Sequence, residues 1–162
     1  MPLQKEMNEQ RRTLEHEYFR DMVELLEVLK QRFGNEVVDV VDDVVRERKL
    51  REWRGIAQSS ESNSLANLVR TLWPPQQRER GYEFTVERNT GRIQVVCTKC
   101  PVHELAKELH ATDWVNHLVC KGDPYIVEGF NPRLGFEHVK SLMKGEDCCK
   151  QVYFEKDEQP SV

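Results

Sequence analysis

The chain holds no run of about 18 apolar residues that could cross a bilayer, and Met1-Pro2-Leu3-Gln4-Lys5-Glu6 leads into no apolar signal core. No membrane partner is expected, and a cytoplasmic location is. A basic excess is missing too: 24 Lys and Arg stand against 28 Asp and Glu, a formal charge of -4, so nucleic acid finds no positive field. A nucleotide-binding glycine loop, a serine nucleophile elbow and an H-E-x-x-H pair are all absent. Nor is the cysteine count even. Cys97, Cys100, Cys120, Cys148 and Cys149 make five, and without a secretion signal that argues for reduced thiols rather than a disulfide framework.

What remains is ordinary for a globular protein, with 38% apolar and 32% charged residues in 162, enough for one domain with a core. Over residues 9–32, Leu14, Tyr18, Met22, Leu25, Leu26, Leu29 and Phe33 recur at three- and four-residue steps, which predicts a helix with these residues on one stripe. Gly34 stops it, and Asn35 is placed to cap a second, valine-rich helix running to about Trp53. Ser64 caps a short helix that Pro74-Pro75 ends. Period-two patterns then predict a hairpin over residues 82–97, two helical stretches toward Cys120, a turn of helix from Asp123-Pro124 to Gly129, and strands around 134–140 and 149–154. The tail after Glu155 reads as disordered. The fold class is α+β over a single domain, 1–162: a helical part to residue 75, then a cysteine-containing part over 80–155. That second part is an antiparallel sheet of about four strands with an inserted helical pair.

Cys97-Thr98-Lys99-Cys100 is a C-x-x-C at a strand end, a spacing with which two thiolates reach one zinc; Cys120, Asp123, Cys148 or Cys149 would complete the site. Alternatively a thiol attacks carbon. Cys100, ahead of Pro101 at a helix start, is best placed to feel the positive end of a helix dipole. Against both stands the plain use of cysteine as a small buried hydrophobe. His103, His110 and His117 lie seven apart, but Ala111-Thr112-Asp113 is expected to break any shared helix, and His138 is expected to reach the space beneath the sheet. Asp123 before Pro124 suits plain N-capping as well as a chemical role.

The order Thr98-Lys99-Cys100-Pro101, Glu104-Leu105-Ala106, Cys120-x-x-Asp123, Gly129-Phe130-Asn131-Pro132 with Phe136, and Gly145-x-x-Cys148-Cys149 resembles the L-2-amino-thiazoline-4-carboxylic acid hydrolase family. The resemblance covers residues 80–155; residues 1–75 share only helical character. That family is similar in turn to vinyl-reductase-like and heme nitric-oxide associated domains, in which a small antiparallel sheet and helices enclose an apolar pocket. The resemblance implies hydrolysis at a C–N bond of a cyclic amidine. The wider fold implies a non-catalytic small-molecule sensor, sometimes with cysteine-bound zinc. Carried onto this chain, Cys100 or Cys120 is the expected nucleophile and Asp123 the orienter or base. His103, His117, Cys148 and Cys149 are expected against the substrate, and Cys97, Cys100, Cys120 and Cys148 form the zinc set. The N-terminal helices are expected to pair in a homodimer. Two departures from the family stand out: Lys121-Gly122 and Pro124 around Asp123, and the polar start Lys150-Gln151-Val152 of the last strand.

Overall fold

The computed structural model describes residues 2–156. Helix α1 spans Pro2–Phe33, longer than the stripe alone suggested, and ends where Gly34 takes φ 81 and returns its N–H to Lys30 at 2.8 Å. Helix α2 spans Glu36–Ser59; Asn35 precedes it in helical conformation and makes no side-chain cap. The apolar stripe read from the spacing is buried only in part, at Leu26 and partly at Met22 and Leu29. Phe19 and Val23 pack on Ala106, Ala111 and Val115, and Leu26 is buried nearby, while Leu14, Tyr18, Leu25 and Phe33 stay exposed. A helix this rich in apolar residues carries two stripes, and only the one through Phe19, Val23 and Leu26 meets the rest of the protein.

Helix α3, Leu65–Leu72, starts where the Ser64 side chain accepts the Asn67 N–H and stops at Trp73-Pro74-Pro75. A single turn, α4 at Gln76–Glu79, follows. Strands β1, Glu83–Asn89, and β2, Arg92–Lys99, form a hairpin whose turn Gly91 makes with φ 68. Helix α5 is Pro101–Glu108 and α6 is Thr112–Leu118; His110, at φ 52 between them, breaks the helix that would have aligned the three histidines. After a 3-10 turn at Cys120–Gly122 come α7, Asp123–Phe130, and strands β3, Leu134–Lys140, and β4, Cys149–Glu155. The architecture is α+β, with a four-stranded antiparallel sheet in the order β1-β2-β4-β3. Thus β4 is bonded on both edges, and Cys97 and Cys149 are cross-strand partners.

One core joins the sheet to the helices: Ile93, Val95, Cys97, Cys149 and Tyr153 pack with Trp53, Leu68, Val69, Val127 and Phe130. Two glycines set how closely α7 lies on α2. A Cβ at Gly129 would stand 2.9 Å from the Leu50 carbonyl oxygen, and one at Gly122 would stand 3.1 Å from Lys49 Cγ and from Val45 Cγ1. That approach delivers the Lys49 side chain to the head of α7. The expectation of a disordered tail concerns residues 157–162, outside the described ones. No helix among the described residues is long and apolar enough to cross a membrane.

Candidate functional site

Where the ends of β2 and β4 meet α3, α5 and α7, side-chain packing leaves a cavity of about 160 Å³. Ligand pockets for drug-sized molecules run to roughly 300–1,000 Å³, so this one is scaled to a molecule of about one ring. Its wall is mainly apolar or sulfur: Leu72, Trp73, Val102, Val119 and Ile126, with Cys97, Cys100, Cys120 and Cys149. Into it project Asp123 from α7, His138 from β3, and Gln151 and Tyr153 from β4. The strand period of two explains the last pair, because Cys149, Gln151 and Tyr153 share one face of β4.

Asp123 is not the helix cap its place before Pro124 suggested. Gly122 occupies the cap position, Asp123 is the first helical residue, and its Oδ2 accepts a hydrogen bond from Gln151 Nε2 at 3.0 Å. Although the residue keeps some exposed surface, its carboxyl group is surrounded by protein. Burial pushes its pKa up to about 7, against the pull of the Lys49 charge and of the Gln151 hydrogen bond. Gln151 is itself held: Tyr153 donates its hydroxyl to Gln151 Oε1 at 2.6 Å, and Trp73 Nε1 donates to the Tyr153 oxygen at 3.0 Å. On β3, opposite Gln151 in the strand register, His138 Nε2 is covered from solvent and has no hydrogen-bond partner among the described residues. Burial and then Lys144 lower the His138 pKa, which keeps the ring neutral at pH 7.

The thiols are held as thiols. Burial pushes Cys97 up to about 12, with Cys100 adding to it, and Cys149 up to about 11. Cys120 is raised by burial and then by Asp123. At Cys100 burial again dominates, while the N–H groups of His103 and Val102 pull the other way. The helix start therefore acts on Cys100 in the expected sense and is outweighed.

Of the residues singled out from sequence, Cys97, Cys100, Cys120, Asp123 and Cys149 line this cavity, whereas His103, His117 and Cys148 do not. His117 turns instead to α2. Its Nδ1 lies 2.6 Å from Asp42 Oδ1, and Lys121 Nζ bridges Asp42 Oδ2 at 3.2 Å and His117 Nε2 at 3.4 Å, a polar clip between helices. Cys148 is buried beside Asp147, ahead of β4. Among the described residues no three of His, Cys, Asp and Glu come together in a way that could hold a metal ion. The four-cysteine zinc set lacks Cys148 at the cavity, so its members are not gathered around one point as a zinc site requires. Sequence reasoning missed Trp73, Gln151 and Tyr153, although the alternation of the last strand placed the latter two on the face of Cys149.

Residues 11–153 match the L-2-amino-thiazoline-4-carboxylic acid hydrolase family, so the match takes in both long helices as well as the cysteine-bearing part. No curated protein sequence matches the chain. Among solved structures, the phenol-responsive sensory domain of the transcription activator PoxR, with phenol, is similar at a TM-score of 0.52 with 10% identity, over 87% of this chain and 76% of that one. A trafficking protein particle complex subunit 3 from Naegleria fowleri, covalently bound to palmitic acid, gives 0.52 with 12% identity over 90% and 97%. An H-NOX protein from S. oneidensis in the Fe(II)NO ligation state gives 0.48 with 10% identity over 84% and 74%. At these identities the first two show a shared fold.

Proposed function

Because the chain belongs to the L-2-amino-thiazoline-4-carboxylic acid hydrolase family, we propose that its cavity binds a small cyclic amidine and hydrolyses it, with Asp123 as the acid–base group. The observation that carries this is a carboxyl brought to about pH 7 at the wall of a mainly apolar cavity sized for one ring. In the carboxylate form Asp123 takes a proton from water as the water oxygen adds to the amidine carbon. The tetrahedral carbon then expels the ring heteroatom, which leaves with that proton; for an aminothiazoline the product is an N-carbamoyl amino acid with a free thiol. One water is consumed and the ring is opened. The neutral thiols of Cys100 and Cys120 serve as wall and weak donors rather than nucleophiles, since thiolate is what attacks. Free thiols at a cavity also suit a reducing compartment, which supports a cytoplasmic location.

Incubation with L-2-aminothiazoline-4-carboxylate should yield a product heavier by one water. The rate should climb with pH to about 7 and level off above it, because the base form is the active one. A rate that falls through that range would exclude Asp123 as the base. Saturable binding without turnover would instead favour the non-catalytic reading, which draws on the same cavity and on the phenol-bound PoxR domain.

The exposed residues Met7, Leu14, Tyr18, Leu25 and Val28 lie on one side of α1, at steps of seven, four, seven and three residues. A seam of that period is self-complementary, so a second copy of the chain is the partner it fits. Leu14→Glu with Leu25→Glu should convert a dimer to a folded monomer in sedimentation. A wild-type chain that sediments as a monomer at high concentration would refute this pairing.

A further inference from the structure

The chain of hydrogen bonds behind Asp123 runs in one direction. An indole N–H donates and cannot accept, so at Trp73 the Tyr153 oxygen is the acceptor, at 3.0 Å. Tyr153 has a single proton to give, and the other group in reach is Gln151 Oε1 at 2.6 Å. The amide is oriented to match: its oxygen is toward Tyr153, and its NH2 faces Asp123 Oδ2 at 3.0 Å as donor. An oxygen that receives this N–H does not also carry the acid proton, which is left to Oδ1. The first member is firmly seated. The Trp73 ring packs edge-on against Tyr82 at 6.1 Å and tilted on Phe84 at 5.0 Å, immediately before two prolines.

We infer that Trp73, Tyr153 and Gln151 are positioning residues, a one-way relay that fixes which oxygen of Asp123 exchanges a proton with the ligand. The inference deepens the reading of Asp123 as the acid–base group, and it names a role for three residues outside the cysteine motifs. A ligand held here meets Oδ1 as the exchanging oxygen, so it must present its basic nitrogen, or the water that attacks it, to that side of the carboxyl. Other groups also act on Asp123: Lys49 from α2, Cys120 ahead of α7, Cys100 at the head of α5, and Cys149 and Tyr153 on β4, while His138 on β3 lines the same cavity beside Gln151. None of them reports on Trp73, whose indole is neutral, so a change made there reaches Asp123 through the relay.

The test reads Asp123 itself and is independent of turnover. The protein is labelled with carbon-13 at aspartate side-chain carboxyls, and the Asp123 signal is identified by its loss in Asp123→Asn. Its titration midpoint is then followed by NMR in wild type, Tyr153→Phe, Trp73→Phe and the double variant. Breaking the relay frees the Gln151 amide to turn its carbonyl toward the carboxyl, which favours the acid form. Each single variant should therefore raise the midpoint, by about half a unit to one unit. Because the members act in series, the double variant should match Tyr153→Phe alone. A midpoint unmoved in Trp73→Phe, or shifts that add in the double variant, overturns the relay. Should Trp73→Phe not fold, benzothienylalanine at position 73 keeps the shape and replaces the N–H with sulfur, and the same criteria apply. A protein that titrates as expected but opens no amidine would sink the hydrolase reading and leave the relay standing.

Discussion

Asp123→Asn is expected to abolish turnover while making the fold more stable above neutral pH. Loss of a positioned general base costs about a hundred- to ten-thousand-fold in rate, and asparagine offers water no place to leave a proton. The gain in stability follows from proton linkage. In the unfolded chain Asp123 ionises near 3.8, whereas the folded protein holds its proton to about 7. Between those values the folded state binds more protons than the unfolded one, so stability falls as pH rises through the window and stays at the lower level above it. Asparagine never ionises, and its side-chain oxygen still accepts the Gln151 N–H. Above pH 7 the variant should recover roughly 2–4 kcal/mol relative to wild type, with little difference at about pH 3, below the window. Urea denaturation of both proteins at several pH values checks this: the two stability curves should separate on the alkaline side. Curves that run parallel would mean that the Asp123 carboxyl is not desolvated.

Phe130→Ala should destabilise the protein by about 3–5 kcal/mol, the usual cost of emptying a phenylalanine site in a packed core. Phe130 is 2% exposed and meets Trp53 edge-on, with ring centroids 6.1 Å apart. It holds the far end of α7 to α2, while Gly122 and Gly129 permit the near approach. The loss therefore falls on the packing of α7 against α2, at the end away from Lys49 and Asp123. Equilibrium unfolding by urea gives the number, and a loss below about 1 kcal/mol would show that the site collapses without penalty.

Much of the fold could be read from periodicity because the signals were local: Gly34 and Pro74-Pro75 as stops, Ser64 as a cap, Gly91 in the hairpin. Errors arose where a choice depended on a distant partner. Leu14, Tyr18 and Leu25 on α1 have the spacing of a buried stripe, but so do Phe19, Val23 and Leu26, and nothing within the helix says which side α5 and α6 will cover. His103 and His117 lie near the cysteines in sequence, yet the left-handed His110 breaks the helix between them and His117 is drawn off by Asp42, 75 residues away. Asp123 was singled out, but its partner was not. Gln151 looked like a polar departure from the family pattern, and it is the residue whose amide holds the carboxyl. A hydrogen bond spanning 28 residues between a helix start and a strand leaves no periodic trace.

The placement of β4 between β2 and β3 bears on how anything reaches the cavity. Cys149, Gln151 and Tyr153 stand on a strand laced along both edges, so parting the sheet there would break two ladders at once. That floor should be among the slowest regions of the molecule to exchange its amide hydrogens. A guest is then expected to enter from the helical side, whose lining includes Leu72, Gln77, Val102 and Val119, and changes in that roof should alter the speed of entry while leaving the chemistry beneath it alone.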